Sequence, residues 1–165
     1  MTYEVLLPID PPTATDQHVG HRIARVNGKQ VILSYRKKPQ KMAHYLYETE
    51  LKRDIRQRKD GIGTLKMFAG EPIIVKIDFM FPHPACTAKR DRNKTFARTV
   101  RPDVANMAKG LLDCLMSVGL IQDDASIFDL QLRKFNVPQS KRGVRVTITD
   151  ELHEWYNSDG QKEMN

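Results

Sequence analysis

The chain has 165 residues, enough for one domain with a sizeable core, and it carries a formal charge of +7 with a pI near 9.5. That balance favours a polyanionic partner. Cys86 and Cys114 are the only cysteines and form no Cys-x-x-Cys pair, which excludes a zinc ribbon or a disulfide framework and suggests reduced thiols. The first residues lack a basic stretch followed by an apolar run, and no 18 apolar residues stand together, so neither a signal peptide nor a membrane span is expected.

Tyr3 to Leu7 reads as a short strand stopped by Pro8 and by Pro11-Pro12, with a loop over Thr13 to Asp16. Asn27-Gly28 between His21–Val26 and Gln30–Tyr35 predicts a β-hairpin. From Pro39 to about Lys59, Met42, Tyr45, Leu46, Thr49, Leu51 and Ile55 recur at spacings of three and four. This predicts an amphipathic helix with a basic outer face, ended by Asp60-Gly61-Ile62-Gly63. Pro72 to Phe81 alternates Ile73, Val75, Ile77 and Phe79 with Lys76 and Asp78, as a half-buried central strand does.

Pro82 to Val100 is polar, basic and expected to be a long, nearly structureless functional loop. A second helix is predicted from about Ala105 to Val118. Val104, Met107, Ala108, Leu111, Leu115 and Val118 face its core side, and Asn106, Lys109, Asp113 and Ser117 the other. Ile127–Phe135 and Gly143–Thr149 complete the strands. The sum is an α+β fold: a mixed sheet with two principal helices. One domain is expected over residues 1–155, followed by a polar tail over 156–165.

The chemistry concentrates around the second helix. Taken singly, its acids have plain readings. Asp103 suits a helix N-terminus, Asp123 and Asp124 suit a loop or a cap, Asp129 suits a solvent-facing strand position, and Lys109 suits an ion pair with Asp113. Together they are the oxygen ligands that magnesium takes, one or two carboxylates plus a substrate phosphate, with a lysine to offset phosphate charge. Just upstream lies the basic run Lys89, Arg90, Arg92, Lys94, Arg98 and Arg101. Such residues hold phosphates, position a nucleic acid without reading its sequence, and make binding salt-dependent.

The stretch Arg101-Pro-Asp-Val-Ala-Asn-Met-Ala-Lys-Gly-Leu-Leu-Asp-Cys-Leu, followed by Gly119-Leu-Ile-Gln-Asp-Asp-Ala-Ser-Ile-Phe-Asp129, resembles the RusA-type Holliday junction resolvases. Their pattern is an Asp-x-Asp-Asn-x-x-Lys helix start, an Asp-Ala-Leu-like helix body, then a glycine-containing turn into Asp-Asp. Asp103, Asn106, Lys109, Asp113, Gly119, Asp123 and Asp124 match it without a gap. The likeness is close over 101–135 and looser elsewhere. It implies a RusA-like fold and a homodimeric, magnesium-dependent endonuclease, manganese being the alternative metal, that cuts four-way DNA junctions by paired nicks. It also implies a cytoplasmic protein, bacterial or phage-encoded, acting in recombination and repair. Carried over by position, Asp103, Asp124 and Lys109 are the catalytic residues. Asp103, Asp124 and Asp123 are the metal ligands, and Asn106 joins the basic run in contacting DNA.

Ala105 departs from that pattern, standing where the second Asp of Asp-x-Asp belongs. In an extended segment positions 103 and 105 point the same way, so an acid at each would converge on one metal. Loss of a supporting ligand alone costs about 10–100-fold in metal affinity or activity. Two explanations stand: an inactivated version, or a natural chain that binds junctions without cutting them. The latter leads to a second reading of the whole protein, a non-catalytic dimeric module for branched DNA or structured RNA. Reach adds a constraint. A helix over 103–118 spans roughly 22 Å, and residues 119–124 return at most about 20 Å. Asp124 therefore meets Asp103 either by running straight back or across a dimer interface. His18-x-x-His21 and His83-x-x-Cys86 lack a second pair and are expected to be structural, and Phe96 is expected to pack inside rather than stack or wedge at an opened junction.

Overall fold

The structure, a computed structural model, describes residues 1–13, 19–36, 38–58, 68 and 71–151. The predicted helix stop at Asp60 to Gly63, the loop beyond Thr13, His18, and the tail over 156–165 lie outside the described residues. Strand β1 (Thr2–Leu7) turns Tyr3, Val5 and Leu7 inward by its two-residue period. Strands β2 (Val19–Val26) and β3 (Lys29–Arg36) form the antiparallel hairpin, with positive φ at both Asn27 and Gly28, the type I′ pattern that matches strand twist.

Helix α1 (Lys38–Gln57) is where predicted, but its rotation differs. Ala43, Tyr47 and Leu51 are buried, whereas Met42 and Tyr45 stay exposed. A network at its end fixes that rotation. Tyr3 Oη donates to Asp54 Oδ2 at 2.8 Å, Arg58 Nε donates to the same oxygen at 2.7 Å, and the Arg58 guanidinium lies 4.3 Å over the Tyr3 ring. Contacts with the second helix, such as Cys114 Sγ to His44 Nδ1 at 3.4 Å, act with it, so positions spaced by four from Ala43 face the core and the neighbouring apolar strip is left outside.

Strand β4 (Ile73–Pro82) is central, and it is buried on both faces rather than half-buried. Ile73, Val75, Ile77 and Phe79 enter the core, each worth roughly 1.5–3 kcal/mol when fully buried. On the far face Asp78 is only 8% exposed, because Arg133 covers it with a two-pronged pair at 2.7 and 3.0 Å. The expected structureless loop contains a short strand, β5 (Phe96–Ala97), and a single helical turn at Lys89–Asp91.

Helix α2 (Val104–Ser117) buries Met107, Ala108, Leu111, Cys114 and Leu115. Strands β6 (Ile127–Val137) and β7 (Gly143–Thr149) close a five-stranded sheet in the order β1-β7-β4-β6-β5, with β6 parallel to β4 and β7 antiparallel to it. The α+β class with a mixed sheet and two helices is thus the observed one. Both helices lie on one face of this sheet, and α2 is the crossover between the parallel strands β4 and β6.

Candidate active site

The segment leading into α2 is held by side chains from the sheet. Lys134 Nζ donates to the carbonyls of Val100 (3.0 Å) and Pro102 (2.7 Å). The Arg98 guanidinium stacks 4.3 Å over Phe81 and donates to Asn136 Oδ1 (2.9 Å) and to the Arg101 carbonyl (3.0 Å). Lys134 and Asn136 follow Leu130 and Leu132 along the helix-facing side of β6, so a cation sits where the strand pattern puts apolar residues. That break in alternation was the available signal for Lys134, and the sequence reading missed it.

This clamp delivers Asp103 to the N-cap of α2. One carboxylate oxygen, Oδ1, accepts from the amides of Ala105 (2.9 Å) and Asn106 (3.2 Å). Two of the helix's orphan donors are thereby satisfied. Asp103 is extended, but Ala105 lies inside the first helical turn. The nearness of positions 103 and 105 therefore comes from the cap, not from strand-like alternation as expected.

At the other end the helix closes in a Schellman motif. Gly119, at φ +81°, donates its amide to Met116, and Leu120 donates back to Leu115, both at 3.0 Å. The chain reverses and returns beside α2. Asp123 opens a short turn, Asp124–Ser126, accepting from the Ala125 amide at 3.0 Å. That amide, and then the neighbouring Asp124 carboxyl, hold Asp123 below the usual carboxylate range. Asp123 thus acts as a cap, while Asp124 lies on the helix side.

The result is a cleft of about 210 Å³ between α2 and β6. Leu130 and Leu132 line it together with Ala105, Lys109, Asp113 and Asp124. Asp124 and Lys109 of one chain thus line the same cleft, and Asp103 is not among the residues that line it. Lys109 is exposed and makes no ion pair among the described residues, so the Asp113 pairing weighed from sequence does not form. Ala105 puts a methyl group on the cleft wall. Among the described residues, no three His, Cys, Asp or Glu side chains gather as a metal site.

The basic run divides by role. Lys89, Arg90 and Arg101 are exposed at the surface. Arg92 braces its own loop through the Thr87 carbonyl (3.1 Å), Lys94 pairs with Asp91 (2.8 Å), and Arg98 is turned inward. Asn106 is half-buried at the first turn of α2. Phe96, expected inside, is 40% exposed, set edge-on to His83 with ring centres 5.8 Å apart. A two-residue edge strand has no second layer to cover it. His83 Nε2 is 2.8 Å from the Lys94 carbonyl, a loop-bracing contact, and Cys86 is exposed.

A family model for endodeoxyribonuclease RusA matches residues 11–149. The chain belongs to the RusA endodeoxyribonuclease family. No curated protein gives a significant match. RusA-family proteins are structure-specific endonucleases that resolve Holliday junctions, and they generally depend on a divalent metal. The oxygens present in this RusA-family chain suit such an ion: Asp124, and Asp103 Oδ2, which has no partner among the described residues. One or two carboxylates with water and substrate phosphate are enough for such an ion, and of these two acids Asp124 lines the cleft while Asp103 caps the helix at its edge. No helix among the described residues is long and apolar enough to cross a membrane.

Proposed function

We propose that two copies of this chain bind a four-way DNA junction, and that the cleft beside α2 is where the phosphodiester is engaged. The convergence of Asp124 and the unpaired Lys109 in one cleft, next to the Asp103 cap, carries this reading. Lys109 offsets charge on the scissile phosphate. Asp103 and Asp124 hold magnesium, with manganese as the alternative. Asp123 fixes the turn that presents Asp124. The ion, when bound, supplies charge neutralisation and makes a water easier to deprotonate. Lys89, Arg90 and Arg101 meet the phosphates of the junction arms. The protein works in the cytoplasm of a bacterium, or of one infected by a phage.

Ala105 supports a reduced activity, because the cleft lacks the carboxylate that the family pattern puts there. The same observation favours a second reading, in which the chain holds branched DNA without cutting it. In an Ala105→Asp background, Asp124→Asn and Lys109→Met should each lower metal-dependent cleavage at least 100-fold while leaving junction binding within a few-fold. Undiminished cleavage in both variants would remove the cleft from the mechanism. Sedimentation should give the mass of a dimer.

A further inference from the structure

The hairpin β2–β3 is a two-stranded sheet of its own, and neither strand packs broadly against another described element. Isolated two-stranded ribbons are marginally stable in water, so this one needs a partner. Its sequence carries Arg22, Arg25, Lys29 and Arg36 and no acidic residue. Ile23 and Ile32 are directly paired across the strands and are 71% and 73% exposed, a costly arrangement for the free protein.

Alternation puts Arg25 and Gln30 on the Ile23–Ile32 face, and Arg22, Lys29 and Leu33 on the other. Both faces are therefore basic and partly apolar. A ribbon packed on a flat protein surface needs only one such face, whereas a ribbon in a groove meets walls on both sides. A DNA groove admits a two-stranded ribbon, and apolar side chains inserted at base steps accompany backbone contacts in bent or opened DNA. Eight residues per strand give a length of roughly 26 Å. Charge favours DNA, since a ribbon with Arg and Lys and no acidic residue has nothing to pair with in a second copy of itself.

We propose that the β2–β3 ribbon is a DNA-holding arm: it lies in a groove of one duplex arm, with Arg22, Arg25 and Lys29 on flanking phosphates and the Ile23–Ile32 pair against the bases. This rests on the junction-binding reading above. It assigns the grip on the duplex to an element away from the α2 cleft.

The test compares the full chain with an Arg22→Gln/Arg25→Gln/Lys29→Gln variant and an Ile23→Ser/Ile32→Ser variant. Fluorescence anisotropy on a synthetic four-way junction and a linear duplex is followed across salt concentrations, with mass by sedimentation. Losing three phosphate contacts should lower affinity about 10–100-fold and flatten the log–log salt slope by roughly 2–3. The isoleucine variant should weaken binding several-fold with the salt slope unchanged. Masses should stay the same in both. A single Lys29→Glu variant, at the turn, repeats the test with the least risk to the strands. If the unaltered chain binds junctions and the variants bind equally well, the arm is wrong and the junction reading survives. If the variants change mass, the ribbon is a contact between copies and the arm is overturned. If the unaltered chain binds no DNA, both readings fall.

Discussion

Asp103 has two duties that substitution can separate. Its Oδ1 caps α2 through the amides of Ala105 and Asn106, at 2.9 and 3.2 Å, and in the proposed function its Oδ2 takes a cation. Asp103→Ala removes both duties. Loss of an N-cap costs about 1 kcal/mol, within a range of roughly 0.5–2, which in a chain of this size lowers Tm by about 2–4 °C. Asp103→Asn keeps a side-chain acceptor of nearly equal capping strength. It gives up the charge–dipole interaction, worth about 0.3–1 kcal/mol. Asp103→Ala loses that interaction as well as the cap, so the Tm of Asp103→Asn should fall less far. Both variants, in an Ala105→Asp background, should lose magnesium-dependent cleavage alike. Thermal melts followed by circular dichroism, paired with a junction-cleavage assay, read the two duties separately. Equal melting temperatures for the Ala and Asn variants would refute the cap, and full metal-dependent activity in Asp103→Asn would refute the ligand role.

Lys134→Met should destabilise the fold by about 1–3 kcal/mol, because two carbonyls lose a charged donor. Faster hydrogen exchange over residues 98–104 would mark the released clamp, and unchanged exchange there would count against it. Gly143→Ala puts a Cβ 2.7 Å from the Leu7 carbonyl at φ +151° and should cost roughly 2–5 kcal/mol in urea unfolding. Gly119→Ala meets open space at φ +81° and should cost only about 1–2 kcal/mol, so a reversed order would contradict the packing described. Asp123 has a depressed pKa in the fold, so its contribution is present above its ordinary value of 3.8 and lost as pH falls through the lower folded value. Asp123→Asn should therefore show a shallower loss of stability with acid in pH-dependent melts; an unchanged acid limb would exclude the turn cap as its cause.

Local signals were legible where one residue pair determines a conformation. Asn27-Gly28 gave the hairpin, and the Asp103 cap with Gly119 bounded α2 within one residue of expectation. The family was legible from the run that starts at Arg101. The rotation of α1 was not, because apolar residues occur on two adjacent strips and only contacts made in the fold, Tyr3 to Asp54 and Cys114 to His44, decide which strip is buried. Burial of Asp78 on the far face of β4 depends on Arg133, 55 positions away. Lys134 and Arg98 act on carbonyls and a ring brought close by the crossover, so sequence showed their charge and not their direction. The reach argument bounded the return of Asp124 without choosing its route. The Schellman turn brings Asp124 onto the α2 cleft of its own chain.

The central claim is that this cleft is a metal-dependent nuclease site short of one carboxylate at position 105. Magnesium-dependent cleavage of a synthetic four-way junction, measured for this chain and its Ala105→Asp variant, tests it most directly. Paired symmetric nicks made at least 10–100-fold faster by the variant than by this chain are the predicted result. Tight junction binding by both with cleavage by neither would contradict it and leave a DNA-holding module.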